Sequence, residues 1–231
     1  MIIDLNKQDK TPIEFSGYFR LFGDRRLAYL IRRIHATVIS NGSELERMIC
    51  ENTRANGTTI ADGTSCEDFI YYYQNHCLGQ TTYFNKLNVS KSSLIRAGLS
   101  LESKNKISVD GVWILPDKSV LVCEYKDGDG FDTKKSDAEI KSLQKILKWM
   151  KHHGVSNSQA VMVLWNCPDL STSSVKSKEA KPYLATADDF INMLPSGALR
   201  ADKINEKRYG DREQNLNVIV NYLKDCISDK E

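Results

Sequence analysis

The spacing of apolar residues in the first third of the chain predicts helices and irregular segments. Residues 24–50 place apolar side chains three or four positions apart, as a helix with one buried face does. Asn41 and Gly42 are expected to break this segment into two helices. Residues 52–65 are rich in turn-forming residues and predict a loop, whereas residues 66–77 predict a short helix that carries three tyrosines.

The pattern changes to strand-like runs in the middle of the chain. Residues 107–115 and 119–126 are apolar runs, joined by a Pro-Asp-Lys sequence that favours a turn. Residues 137–152 predict an amphipathic helix, and residues 159–165 a central strand covered on both faces. Two further helices are expected at residues 186–194 and 212–228. This order indicates an α/β fold with a central mixed β-sheet flanked by α-helices.

Composition narrows the class of protein only slightly. The 231 residues contain neither a repeat nor a long linker, so a single domain spanning residues 1–231 is expected. Hydrophobic residues make up 41% and charged residues 27%, as in an ordinary globular protein. The net charge of +2 does not by itself indicate a nucleic-acid-binding protein, so any such surface has to come from local clusters of basic residues.

Several motifs are missing from the sequence. No apolar run approaches the roughly 18–20 residues of a membrane span, so no membrane partner is expected. The six cysteines show no CxxC spacing, which favours reduced thiols and a cytoplasmic location over a zinc site or disulfides. Neither a Walker A nor a GxGxxG motif is present, and no nucleotide cofactor is expected.

Three charged residues lie within the apolar strand-like runs. Asp110 lies in the first run, and Glu124 and Lys126 end the second. Burial of charge in a sheet is costly unless the charges are paired or bind a metal ion. Glu124 and Lys126 share one face of their strand, and a hairpin turning near residue 117 brings Asp110 roughly opposite Glu124.

This trio fits the hydrolysis of phosphodiester bonds. A divalent cation shared by Asp110 and Glu124 would polarise a phosphate and acidify a bound water. Lys126 would stabilise the negative charge that develops during attack. Oxygen ligands favour Mg²⁺ over zinc, with Mn²⁺ as a substitute. The pattern therefore predicts a metal-dependent nuclease, most simply an endonuclease acting on DNA.

The spacing Glu-x-Lys carries little information by itself. It also occurs at residues 102–104, 139–141 and 179–181, in loop-like segments or on a helix face expected to be solvated. Only the pair at residues 124–126 ends an apolar run and has an acid at the matching place on a neighbouring strand. The competing interpretation is a salt bridge on an edge strand, although the apolar surroundings favour a central strand.

The layout resembles the PD-(D/E)xK nuclease superfamily, the fold of most type II restriction endonucleases. Val109-Asp110 followed by Glu124-Tyr125-Lys126 corresponds to its motif, with Val109 where proline is usual. The resemblance covers about residues 40–165 and implies a restriction-endonuclease-like core with Asp110, Glu124 and Lys126 as catalytic residues. The two acids would also bind the metal.

The resemblance extends to an acid on an N-terminal helix. Many members have, on this helix, a glutamate that lies four residues after a glycine and joins the metal site. Glu46 follows Gly42 at this spacing, so it is implied as a catalytic metal ligand, and Glu44 is the alternative if the helix register differs. A solvated helix face is the competing interpretation for either glutamate.

Basic residues elsewhere suggest contacts with nucleic acid. Lys134 and Lys135 follow the glycine-rich loop after Lys126, where similar enzymes often face DNA, so they are candidate nucleic-acid-binding residues. A solvated turn explains them equally well. Four arginines on the first predicted helix could contact phosphate, or could form salt bridges within the chain or between subunits: Arg25, Arg26, Arg32 and Arg33.

The resemblance implies an enzyme that cuts double-stranded DNA at a short specific site. A symmetric site favours a homodimer. Residues 52–105 and 167–210, outside the common core, are expected to supply base recognition and dimerisation. Other nucleases of the same superfamily remain alternatives: a junction resolvase, a repair or transposition nuclease, or a viral RNA endonuclease. Some of the viral enzymes use an N-terminal histidine as a metal ligand, and His35 is the candidate for that role here.

Two non-catalytic alternatives also stay open. A nucleic-acid-binding protein on a degenerate nuclease fold would bind without cleaving and without need of a metal. An interaction protein with a chance salt bridge at residues 124–126 would show no effect of Mg²⁺ on its thermal stability. The complete set of Asp110, Glu124 and Lys126 argues against both.

Overall fold

The computed structural model describes residues 1–7, 11–62, 65–75, 78–100, 105–128 and 133–228, leaving aside the side chains of residues 39–41, 59–62 and 133–136. The strands are β1 (Thr59–Asp62), β2 (Thr82–Ser90), β3 (Lys106–Ile114), β4 (Val120–Lys126), β5 (Ser158–Leu164) and β6 (Leu184–Thr186). The helices are α1 (Gly17–Phe22), α2 (Arg25–Ala55), α3 (Cys66–Asn75), α4 (Lys91–Arg96), α5 (Thr133–His152), α6 (Ala187–Asn192) and α7 (Ala201–Ser228).

Within the described residues, one six-stranded sheet has the order β1-β2-β3-β4-β5-β6. Strand β3 runs antiparallel to both of its neighbours, β2 and β4, while β1 pairs with β2, β5 with β4 and β6 with β5 in parallel. The predicted α/β architecture with a mixed sheet and flanking helices is confirmed. It is consistent with a restriction-endonuclease-like core.

The chain divides into two compact units. The first comprises residues 1–44 and 202–231, and the second comprises residues 45–201, which contain the whole sheet. Since the boundary after residue 44 falls inside α2, this helix contributes to both units. No helix in the described ranges is long and apolar enough to cross a membrane.

Strand β4 is central, as its apolar run predicted. Val120 and Val122 are buried on one face of the sheet, in the same apolar core as Ile140, Leu143 and Ile146 of α5. Burial of each such side chain contributes roughly 1.5–3 kcal/mol to stability before the entropy cost of ordering it. The predicted amphipathic helix at residues 137–152 is thus confirmed, and it begins four residues earlier than expected.

Aromatic side chains fill the opposite face of the same strands. The rings of Tyr83 and Trp113 lie 4.6 Å apart, and those of Tyr125 and Phe190 lie 5.8 Å apart. Trp113 Nε1 donates a hydrogen bond of 3.1 Å to the Tyr125 hydroxyl in this buried cluster. Gly111 has no side chain to obstruct these rings, because a Cβ there would lie 2.7 Å from Tyr83 Cε2.

Two predictions about the first half of the chain were wrong. Helix α2 runs without interruption through Asn41 and Gly42, because these residues lower helix stability without removing a backbone hydrogen-bond donor. The loop expected at residues 52–65 contains the end of α2 and strand β1. Strand β2 lies in a segment for which no element was predicted, and it pairs with β3 along most of its length.

The first unit is held together by polar contacts between chain segments far apart in sequence. The Ile3 amide donates to Asn215 Oδ1 at 2.6 Å, and the Tyr222 hydroxyl donates to the Arg26 carbonyl at 3.4 Å. The arginines of the predicted basic patch have partners within the chain. Arg25 pairs with Glu14, Arg32 donates to the Thr11 carbonyl, and Arg33 donates to the Asp4 carbonyl. These contacts support the interpretation of intrachain pairing.

Candidate active site

The candidate site lies where β3 and β4 separate. Their pairing continues from Ile114–Val120 to Gly111–Cys123, and the next step in this register would bring Asp110 opposite Glu124. The Tyr125 amide donates a hydrogen bond of 2.9 Å to Asp110 Oδ2. Because a buried amide left without a partner is costly, the Asp110 carboxylate occupies the place that a strand carbonyl would have taken. The backbone of β4 therefore orients Asp110.

Lys126 connects two carboxylates. Its Nζ lies 2.9 Å from Glu124 Oε1 and 3.0 Å from Glu139 Oε2 on α5. Only 19%, 16% and 20% of the side-chain surfaces of Lys126, Glu124 and Glu139 are exposed. Since β4 has neighbours on both sides, this arrangement is not the edge-strand salt bridge of the competing interpretation.

Burial and mutual repulsion raise the pKa values of the acids. Burial, followed by the charge of Asp110, raises the pKa of Glu124 from 4.5 to about 7, and Lys126 opposes this shift. Burial also raises the pKa of Asp110, although the Tyr125 amide and the charge of Lys126 lower it. Burial and the closeness of the two acids therefore both disfavour their charged forms.

Glu46 on α2 belongs to the same electrostatic group. Burial and then the charge of Asp110 raise the pKa of Glu46, while the charges of Lys86 and Lys126 lower it. Four residues earlier, Gly42 lies in the same uninterrupted helix. The structure thus brings Glu46 within electrostatic reach of Asp110 and Lys126.

An open pocket of about 330 Å³ lies beside Glu124 and Glu139. Part of its wall comes from the first residues of β3 and part from α5, and the lining includes Lys106, Ser108 and Ser142. Glu124 and Glu139 therefore form part of the wall of a cavity that opens to solvent. Among the described residues, no three or more His, Cys, Asp or Glu side chains form a group that could hold a metal ion as they stand.

The remaining predicted site residues either lie apart from these acids and Lys126 or have side chains outside the described residues. The side chains of Lys134 and Lys135 lie outside the described residues, although their backbone forms the first turn of α5. Glu44, the alternative to Glu46, is the last residue of the first unit's N-terminal segment. His35, also in the first unit, shares a hydrogen bond of 2.8 Å with the Tyr18 hydroxyl.

Two residues of the site were not predicted. Glu139 was assigned to a solvated helix face, but helical spacing places it one position before Ile140, at the border of the buried stripe. That position could have indicated contact with the sheet. Lys86 was assigned no role, since no local signal marks it. Its position beside Asp110 follows only from the pairing of β2 with β3.

Comparison with known proteins supports a restriction-endonuclease-like relationship. The chain is 34% identical over 134 residues to the type II restriction enzyme HhaII of Haemophilus parahaemolyticus. The match covers 57% of this chain and 54% of that enzyme, so the chain spans about half the length of this curated relative. No family model matches the chain. No solved structure matches it either.

Proposed function

We propose that this protein is a Mg²⁺-dependent endonuclease that hydrolyses double-stranded DNA at a short specific site. The observation that carries this proposal is the meeting of Asp110, Glu124 and Lys126 where β3 and β4 separate. Similarity to a type II restriction enzyme supports it. Membership of the PD-(D/E)xK superfamily, with a catalytic core at about residues 40–165 of a single domain, is part of the same proposal.

The chemistry of the acids fits a divalent cation. Asp110, Glu124 and Glu46 are hard oxygen donors, and burial and repulsion raise the pKa of each, which a bound cation would reverse. These three residues would hold Mg²⁺, or Mn²⁺ as its substitute. When bound, the metal would polarise the scissile phosphate and lower the pKa of a water molecule.

The chain's own residues supply the remaining parts. The Tyr125 amide holds the Asp110 carboxylate in one orientation. Lys126 carries a positive charge next to the acids, where it would stabilise the negative charge that develops on the phosphate. Glu139 keeps a second contact to Lys126, so the lysine would remain in place when Glu124 turns to a metal. Lys134 and Lys135, just after the site in sequence, are proposed to bind the DNA backbone.

We further propose a homodimer, because two copies of the site are needed to cut both strands of a symmetric sequence. The first unit leaves an apolar stripe exposed on α7, formed by Leu216, Val220, Leu223 and Ile227, which are 61%, 38%, 37% and 65% exposed. The spacing of four, three and four residues is that of a two-stranded coiled coil, so the stripe of a second copy would complement it. Sedimentation of the wild type and of Leu223→Asp should show a dimer and a monomer, respectively.

The decisive experiment is incubation of purified protein with unmethylated phage DNA, with Mg²⁺ or with EDTA. The control is the Lys126→Ala variant, with circular dichroism to verify its fold. Discrete fragments that require both Mg²⁺ and Lys126 would establish a site-specific endonuclease, and their ends would give the recognition site. Failure to cut phage DNA, junctions and RNA would overturn the proposal and favour a non-catalytic binding protein.

A further inference from the structure

The backbone of Lys86 is unusual for a residue inside a strand. Its φ of 70° lies in the left-handed region, which glycine and asparagine adopt far more readily than lysine. Pairing between β2 and β3 continues on both sides, at Asn85–Gly111 and Leu87–Val109, so Lys86 lies opposite Asp110. The strained residue is therefore next to the candidate site.

This kink changes which residues face the core. Phe84 and Leu87 both belong to the apolar core although they are three positions apart, and on β3 the same holds for Val109 and Val112. Residues three apart in a regular strand face opposite sides of the sheet. In both strands, the alternation of core-facing residues therefore shifts by one position at Lys86 and Asp110. The Lys86 side chain is exposed at this point.

The charge of Lys86 acts on the acids of the site. Burial raises the pKa of Glu46 and of Asp110, and the ammonium of Lys86 lowers both. Lys126 is enclosed between two carboxylates, whereas the Lys86 side chain reaches solvent. A lysine in this position can bind an anion that approaches the acids from outside.

We infer that Lys86 is a substrate-binding residue, whose ammonium binds a backbone phosphate of the DNA strand held at Asp110 and Glu124. This inference rests on the proposed endonuclease function and adds to it a phosphate-binding site on β2. Glycine or asparagine would fit the backbone of this position better, so the fold does not require lysine here. The positive charge beside the acids is what lysine contributes.

The chain offers a matched control at the other end of β3 and β4. Lys118 is the other described non-glycine residue with a positive φ, 63°, and it lies in the turn between these strands. Lys86→Gly and Lys118→Gly each remove one lysine and one strained backbone conformation. Both variants should unfold at the same or a higher temperature than the wild type. Only Lys86→Gly should weaken DNA binding and alter cleavage.

The test measures DNA binding against salt concentration in EDTA, and cleavage kinetics in Mg²⁺. Lys86→Gly should lower the slope of log K against log salt by about 0.9 and raise KM about tenfold, as the loss of one phosphate contact predicts. Lys86→Arg should keep the wild-type slope, and so should Lys118→Gly. If Lys86→Gly fails to fold, Lys86→Asn replaces it, because asparagine tolerates the left-handed conformation.

Two results would overturn the inference while the proposed function stands. One is a wild-type slope and KM for Lys86→Gly in a protein that cuts DNA. The other is an unchanged affinity for DNA together with a lower Mg²⁺ requirement, which would mean that Lys86 only neutralises the acids. A wild-type protein that neither binds nor cuts DNA would instead overturn the proposed function and the inference with it.

Discussion

The two ends of the β3–β4 hairpin differ in how their polar groups are used. At the closed end, the Leu115 and Lys118 amides each donate a 2.9 Å hydrogen bond within the turn, and the Asp117 carboxylate accepts from the Ser119 amide at 2.9 Å. Each of these polar groups serves the turn itself. The closed end is therefore explained by folding alone.

The open end carries charges that folding does not require. Glu124, Lys126 and Glu139 form a mostly buried group, and Asp110 lies beside them with a raised pKa. Replacement of such a group by apolar residues is often neutral or stabilising. Strain and buried charge therefore support a functional interpretation only where local geometry leaves them unexplained, as at the open end.

The largest effect is expected from removing charge at the open end. Lys126→Ala and Asp110→Ala should each lower cleavage by about 10³-fold or more, because each removes a group that acts on the transition state. Gel assays of DNA cleavage measure the loss, and circular dichroism verifies the fold. Asp117→Ala, at the closed end, should cut normally. Near-wild-type cutting by either open-end variant would refute the site.

A smaller loss is expected from Glu139→Gln. This change keeps the size of the side chain but removes one of the two carboxylates that hold Lys126. Partners of this kind change activity by about 10–100-fold, so kcat should fall while KM for DNA stays constant. Glu179→Gln, in another Glu-x-Lys sequence, is the control. Equal rates for the two variants would mean that Glu139 has no part in positioning Lys126.

Gly111 marks the limit between the two ends, and Gly111→Ala should disturb packing. The added Cβ would lie 2.8 Å from the Tyr83 hydroxyl and 2.9 Å from the Tyr125 hydroxyl, both in a buried cluster. Overpacking of this kind costs about 1–3 kcal/mol of unfolding free energy, measurable by urea denaturation. Gly210→Ala, where nothing lies within 4 Å of the new Cβ, should not destabilise the protein. A wild-type midpoint for Gly111→Ala would contradict the tight packing.

The smallest effect concerns pH and Glu124. Its pKa of about 7 in the folded protein exceeds its ordinary value of 4.5, so between these values the folded chain holds a proton that the unfolded chain has released. Stability should therefore fall as the pH rises from about 4.5 to 7, and this fall should be smaller in Glu124→Gln, in which Asp110 and Glu46 still have raised pKa values. At pH 8 in EDTA the variant should be at least as stable as the wild type, because it no longer buries the charge of Glu124 while Lys126 keeps its contact with Glu139.

Addition of Mg²⁺ distinguishes a metal site from a buried salt bridge. Mg²⁺ should raise the melting temperature of the wild type at pH 8 and have little effect on Glu124→Gln, because the variant lacks a proposed ligand. An equal response of the two proteins would show that Glu124 does not bind the metal.

Strands and helices with strong patterns were predictable from sequence. The hairpin register that brings Asp110 opposite Glu124 followed from counting residues about the turn, and the ladder that ends at Gly111–Cys123 agrees with it. The central position of β4 followed from its apolar run. Strand β1 was missed because four residues give too short a pattern, and they are ordered by pairing with β2.

The sequence by itself determined the α/β class, the β3–β4 hairpin and the placement of an acid, a second acid and a lysine at one end of it. These depend on local periodicity and on the distance from a turn. Only the tertiary structure decided that Glu139 contacts Lys126 and that Lys86 lies opposite Asp110 with a strained backbone. Such contacts join residues from separate elements. They depend on how strands pair and helices pack, which no single segment of the sequence determines.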